Sequence, residues 1–144
     1  MKRSRALTSL SRDHHQALVI AQKLRRADAA GAAEARTAFL AYWSDHGAEH
    51  FRLEEEILLP AYAAHGDPHH PLVLEALGDH VAIRQRASKL TSDEPTVDEL
   101  HELGTRLAAH VRLEERALFP MIENVMPPDE LLAVAETLEG APGS

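Results

Sequence analysis

The sequence predicts an all-α fold, an up-down-up-down four-helix bundle with a short C-terminal fifth helix, and three observations carry that expectation. Ala, Leu, Glu and Arg dominate while β-branched residues are sparse, a composition that favours helix over strand. Apolar positions recur at three-and-four spacing, the period of a helix with one buried face. Glycine- and proline-bearing breaks divide this pattern into a few long runs with short connections, which favour antiparallel neighbours.

The elements follow from those breaks. The first helix is expected from about Ala6 to Ala30, stopping at Gly31, and the second from about Ala33 to His65, stopping at Gly66-Asp67-Pro68. Pro71 suits the first turn of a third helix, which reaches about Thr91. After Ser92-Asp93-Glu94-Pro95, Thr96 and Glu99 have the spacing of a capping box that opens a fourth helix to about Val125. Pro127-Pro128-Asp129 then starts a short helix over about 128–139, ended by Gly140. A chain of 144 residues with 44% apolar content fits one domain, its core bundle over about 5–125.

Composition also removes several chemistries. Without cysteine there is no disulfide, zinc–thiolate site, iron–sulfur cluster or thiol nucleophile, so any metal must be bound by nitrogen and oxygen. A net charge of −8 argues against nucleic acid as a partner. No apolar stretch resembles a signal-peptide core or a membrane span, so a cytoplasmic location without membrane association is expected. No feature points to a particular protein partner.

The chain repeats itself. His50-Phe-Arg-Leu-Glu-Glu-Glu-Ile-Leu-Leu-Pro60 aligns without a gap to His110-Val-Arg-Leu-Glu-Glu-Arg-Ala-Leu-Phe-Pro120, with seven of eleven positions identical. The preceding helices share Asp13-His14 and Asp79-His80. One helical hairpin is therefore used twice, and an approximate two-fold axis should relate the halves.

Ten histidines make their placement the informative feature. At 100° per residue, His14 lies in the stripe of Leu7, Leu10, Leu18 and Ala21. His50 and Glu54 fall in the stripe of Phe39, Trp43, Ile57 and Ala61. His80 joins Val73, Leu77 and Ala87, while His110 and Glu114 join Leu103, Leu107, Ala117 and Met121. Each helix thus aims an imidazole at the bundle axis, and two add a carboxylate one turn later. Burying these six groups without compensation costs several kcal/mol per ion, comparable with the whole stability of a domain. A dinuclear metal site held by His14, His50, Glu54, His80, His110 and Glu114 supplies the compensation. Glu55 and Glu115 lie about 100° from these glutamates and His15 about 100° from His14, so none of them is expected to ligate. His46, one turn before His50, is either an extra ligand or a polar core residue. His65, His69, His70 and His101 are expected to be solvated.

The order His14, His50-x-x-x-Glu54, His80, His110-x-x-x-Glu114 resembles the hemerythrin-like or HHE cation-binding domain over roughly residues 5–125. That resemblance implies a left-handed bundle around two non-haem iron ions, joined by an oxo or hydroxo bridge and by the carboxylates of Glu54 and Glu114. His14 and His50 would ligate one iron, His80 and His110 the other. Manganese and zinc suit the same donors, although zinc would do no redox work. The sequence departs from the oxygen-carrying hemerythrins, because Arg84 stands where their third helix has a second histidine and Glu114 arrives one residue early. It is similar instead to hemerythrin-like proteins associated with peroxide decomposition, iron handling and sensing. The leading expectation is a diiron protein that binds or reduces dioxygen or hydrogen peroxide, with catalase-like activity as one form. The alternatives are a module that binds iron or senses oxygen, nitric oxide or iron, and a structural bundle merely stabilised by metal. Trp43, Phe39, Phe51 and Phe119 are expected near the site, either limiting solvent access or simply packing, and Arg84 either puts positive charge beside it or is a snorkelling surface arginine.

Overall fold

The computed structural model describes residues 3–140, with Ala6 described by its backbone alone. It is all-helical: among the described residues there are five helices and no strand. Helix α1 spans Arg5–Arg26, α2 spans 32–63, α3 spans Pro71–Ser92, α4 spans 97–125 and α5 spans Pro128–Glu139. Two of these ends differ from expectation. Helix α1 stops four residues early, because Ala27 turns extended at ψ 135° and the Asp28 side chain accepts from Gly31 N at 2.7 Å, a local turn that competes with further helix. Helix α2 stops two residues early. The expected capping box is present, with Thr96 Oγ1 accepting from Glu99 N and Glu99 Oε1 from Thr96 N.

The unexpected feature is that α2 and α4 are not uniform. Their backbones stay helical throughout, but each widens into a π-turn at Glu54–Leu58 and at Glu114–Leu118, and α2 has another at Trp43–Gly47. A π-turn places one extra residue in a helix and shifts the phase of everything after it. Beyond Glu54 the buried line therefore runs through Leu58 and Tyr62, with Leu59 buried beside it, while the expected Ile57 and Ala61 are only partly buried. Beyond Glu114 the line runs through Leu118 and Ile122, with Phe119 buried beside it and Ala117 and Met121 displaced in the same sense. In α1 the buried line runs through Leu7, Leu10, His14, Ala17, Ala21 and Leu24, and Leu18 lies outside it at 40% exposure.

Two apolar clusters sit at opposite ends of the histidines. One gathers Leu7, Leu10, Leu58, Tyr62, Leu118, Phe119 and Ile122 with the buried face of α5. The other gathers Ala21, Leu24, Phe39, Ile83, Leu100, Leu103 and Leu107. Helix α1 packs along α4 and also against α2 and α5, while α3 packs along α4. The α1–α4 approach is close enough to require Gly104: a Cβ there would lie 2.6 Å from the backbone oxygen of Ala21. At Gly66, in the turn after α2, a Cβ would meet the Tyr62 ring at 2.5 Å. Among the described residues no helix is long and apolar enough to cross a membrane.

Candidate metal centre

All six side chains expected at the site are buried, and they meet between the two apolar clusters. Two groups of donors form, His14–His50–Glu54–Glu114 and Glu54–His80–His110–Glu114, the donor atoms within each lying within 4.8 Å of one another. Both carboxylates belong to both groups. Glu114 Oε1 lies 2.9 Å from His14 Nε2 and 3.8 Å from His50 Nε2. Its Oε2 lies 3.3 Å from His110 Nε2 and 3.9 Å from His80 Nε2. Glu54 reaches across in the same way, Oε2 to His50 Nε2 at 3.1 Å and Oε1 to His80 Nε2 at 2.9 Å.

These separations have a coordination meaning. Ligands bound at about 2.1 Å and at right angles stand roughly 3 Å apart, and most of the short contacts cluster near that value. Apart from the His14 Nε2–Glu114 Oε1 hydrogen bond, they are poor hydrogen bonds: His50 Nε2, His80 Nε2, His110 Nε2, both Glu54 oxygens and Glu114 Oε2 are buried without a partner in hydrogen-bond geometry. Groups at hydrogen-bond distance without hydrogen-bond alignment are aimed at a common point between them. Buried polar atoms left in this condition are costly, and a cation at each point satisfies them. The donor set of imidazole nitrogen and carboxylate oxygen fits a metal.

Each imidazole is held from behind by its other nitrogen. His14 Nδ1 donates to Glu115 Oε2 at 2.8 Å and His80 Nδ1 to Glu55 Oε2 at 2.6 Å. His50 Nδ1 donates to Asp13 Oδ2 at 3.2 Å and His110 Nδ1 to Asp79 Oδ2 at 3.0 Å. A carboxylate behind each ring fixes its orientation and strengthens it as a donor, the usual arrangement around metal-binding histidines. Sequence reasoning missed these four acids as functional residues. Glu55 and Glu115 do point away from the donor points, as their helical phase requires, but toward the outer nitrogens of neighbouring histidines. The signal was present in the repeat: both Asp-His pairs and both Glu-Glu pairs recur as units.

The carboxylates around these imidazoles favour positive charge on them. Burial acts to lower His80 and His110, yet the surrounding carboxylates outweigh it, pushing His80 up to about 9 and His110 up to about 10. For His80 these are Glu114 and Glu54; for His110 they are Glu114, Asp79 and Glu54. His50 rises well above its ordinary value and His14 rises too, against the same desolvation. Burial acts to raise Glu114, but His110, His14 and His50 hold it well below the ordinary carboxylate range. Carboxylates that favour positive charge on each surrounding imidazole favour a cation at the same place.

A family model described as the hemerythrin HHE cation binding domain matches residues 5–122. The chain belongs to the hemerythrin HHE family. No curated protein and no solved structure matches it. Within this hemerythrin domain the remaining histidines lie outside both donor groups. His15 is exposed, and His46 is half-buried on the Trp43–Gly47 π-turn. His65 pairs with Glu130 at 2.6 Å, His69 is exposed, and His70 caps α3 by accepting from Leu72 N. His101, expected to be solvated, is half-buried, and its Nε2 donates to Ala27 O at 2.6 Å, tying α4 to the end of α1. Of the aromatic residues, Phe51 stacks on His80 with ring centres 3.8 Å apart, and Phe119 on His14 at 5.6 Å. Trp43 is further out, stacked on Phe39 and edge-on to Phe51.

Proposed function

We propose that this hemerythrin-domain protein holds two iron ions between the four long helices of an up-down-up-down bundle, and that it uses them to bind and reduce hydrogen peroxide. The observation that carries the reading is the sharing of both carboxylates: Glu54 and Glu114 each face histidines of both donor groups. His14 and His50 would hold one ion, His80 and His110 the other, with Glu54 and Glu114 between them. Short loops, together with the packing of α1 on α2 and α4 and of α3 on α4, support the bundle topology.

Bound ions of variable valence would pass two electrons to one peroxide and take two back from a second. Imidazole and carboxylate donors suit iron or manganese for that task. The chain's own residues hold, orient and shield. Asp13, Asp79, Glu55 and Glu115 keep each Nε2 aimed inward, while Phe51 and Phe119 cover His80 and His14 against water. Arg84 turns to Glu55 at 2.9 Å and contributes no donor atom to either group, so each ion would have two imidazoles and room for exchangeable ligands. That favours turnover over reversible dioxygen carriage.

The test is oxygen evolution from peroxide, two molecules giving one of dioxygen and two of water. The iron-loaded and zinc-loaded proteins are compared at matched metal content, with metal analysis and a visible spectrum of each. Iron-dependent oxygen evolution supports the reading. If the iron form evolves no more than the zinc form, turnover is refuted and iron binding or sensing takes its place.

A further inference from the structure

Two arginines sit behind the centre in matching cages. Arg84 Nη1 donates to Glu55 Oε1 at 2.9 Å, and Glu55 holds His80. The Arg84 guanidinium also lies over the Phe51 ring, 5.9 Å from its centre, and Phe51 stacks on His80. On the other side Arg3 Nη2 donates to the backbone oxygen of Glu115 at 2.6 Å and approaches its carboxylate at 3.4 Å, and Glu115 holds His14. The Arg3 guanidinium lies over the Phe119 ring at 5.6 Å, and Phe119 stacks on His14. Each arginine therefore touches both groups that fix one imidazole: its carboxylate and its stacked ring.

The duplication of the chain does not account for this likeness. Aligning the halves pairs Phe51 with Val111 and Phe119 with Leu59, and places Leu18 opposite Arg84. Arg3 precedes α1 and comes from outside the repeated helices. The Glu–His pairs are counterparts, Glu55 with Glu115 and His80 with His14, but the Arg–Phe pairs set against them come from positions that are not. The duplication therefore does not explain the arginines and phenylalanines, which reach corresponding Glu–His pairs from unrelated positions.

We propose that Arg3 and Arg84 are positioning residues, each locking one imidazole and thereby retaining one of the two ions: Arg3 the ion at His14–His50, Arg84 the ion at His80–His110. This rests on the dinuclear reading above. A freed Glu115 or Glu55 would let its imidazole turn, and loss of the support behind a metal-binding histidine weakens retention by about 10- to 100-fold. The Arg3 lock has further anchors, since Arg3 Nη1 donates to Glu123 Oε1 at 2.9 Å and Ser4 N to Glu123 Oε2 at 2.5 Å. The segment before α1 is thereby fastened to α4 across the outside of the His14 position.

Zinc tests this without recourse to activity. Wild type, Arg3→Gln, Arg84→Gln and the double variant are loaded with zinc, and release to a chromophoric chelator is followed. The Nδ1–H signals of His14 and His80 are read in parallel by nitrogen-15 NMR. Each single variant should speed release of one equivalent by about tenfold or more and leave the other at the wild-type rate. The Nδ1–H of His14 should exchange faster with water only in Arg3→Gln, and that of His80 only in Arg84→Gln; the double variant should speed both equivalents. If each single variant speeds both equivalents alike, or neither, the arginines are ordinary surface ion pairs and the proposal is overturned. Fewer than two zinc ions on wild type would instead count against the dinuclear reading, whereas two ions with indifferent variants counts against the locks alone.

Discussion

His14 and Glu115 face each other at 2.8 Å on the side of the imidazole that points away from the metal positions. The contact gives Glu115 a task different from that of Glu114, its neighbour in sequence, which meets the same ring from the inner side at 2.9 Å. Two adjacent glutamates thus grip one histidine by its two nitrogens. The same division holds at His80, between Glu54 and Glu55.

Substitutions should therefore grade by side. Glu54→Ala and Glu114→Ala each remove a shared carboxylate and should lower bound metal from two ions toward none, with an accompanying loss of thermal stability. Glu55→Ala, Glu115→Ala, Asp13→Ala and Asp79→Ala should retain two ions but weaken affinity by about 10- to 100-fold. Metal analysis and competitive titration separate the classes. Outer substitutions that leave affinity at the wild-type value would show that the Nδ1 contacts are ornamental.

The metal-free protein should be most stable at mildly acid pH. His80 and His110 bind protons more tightly when folded than their ordinary 6.5, so their contribution is fully present below that pH and is lost as pH rises through about 9 and 10. Glu115 is held down to about 2 by His14, Ser11 and Arg3 in spite of burial, so its contribution is present above its ordinary 4.5 and fades as pH falls toward 2. Metal binding runs the other way, since the ions displace those imidazole protons. Melting of the metal-free form should give a Tm that falls between pH about 6 and pH about 10, while zinc affinity rises from pH about 5.5 to 8. A metal-free Tm that climbs over the alkaline range would contradict the imidazolium–carboxylate description.

Two glycines should respond in opposite directions to alanine. Gly104→Ala forces a methyl to 2.6 Å from the Ala21 oxygen, backbone that cannot swing aside, so α1 must move off α4 at a cost of about 1–3 kcal/mol. His14 rides on α1, so metal affinity should fall with stability. Gly78→Ala meets nothing within 4 Å on an exposed face of α3 and should stabilise by about 0.5–1 kcal/mol. Denaturant midpoints of both variants check the pair, and equal shifts would refute the close-approach argument.

Most of the site could be read from the helical period, and the exceptions share a cause. His14, His50, Glu54, His80, His110 and Glu114 were placed together because each lies within a turn or two of apolar residues on its own uninterrupted arc. After Glu54 and Glu114 the same arithmetic points to Ile57, Ala61, Ala117 and Met121, all one residue short of Leu58, Tyr62, Leu118 and Ile122. A straight helix drifts about 40° with every four-residue step, so a buried line at 50, 54, 58 and 62 needs the extra residue that a π-turn supplies. That run of fours is present in both halves but is indistinguishable from helix period until the packing selects it. The outer acids were hidden for another reason: a carboxylate off the apolar stripe looks solvated unless the histidine across the interface is known.

The pattern of these outer contacts crosses the repeat in a definite way. Asp13 and Asp79 serve histidines of their own hairpin, whereas Glu115 of the second hairpin serves His14 of the first, and Glu55 of the first serves His80 of the second. Glu54 and Glu114 straddle the boundary as well. Neither hairpin owns a complete set of donors and supports, so a metal ion bound at either donor group would clasp the two together. The chain is built like a two-fold dimer whose halves are joined by the 64–70 loop, with the shared histidines and carboxylates as its interface.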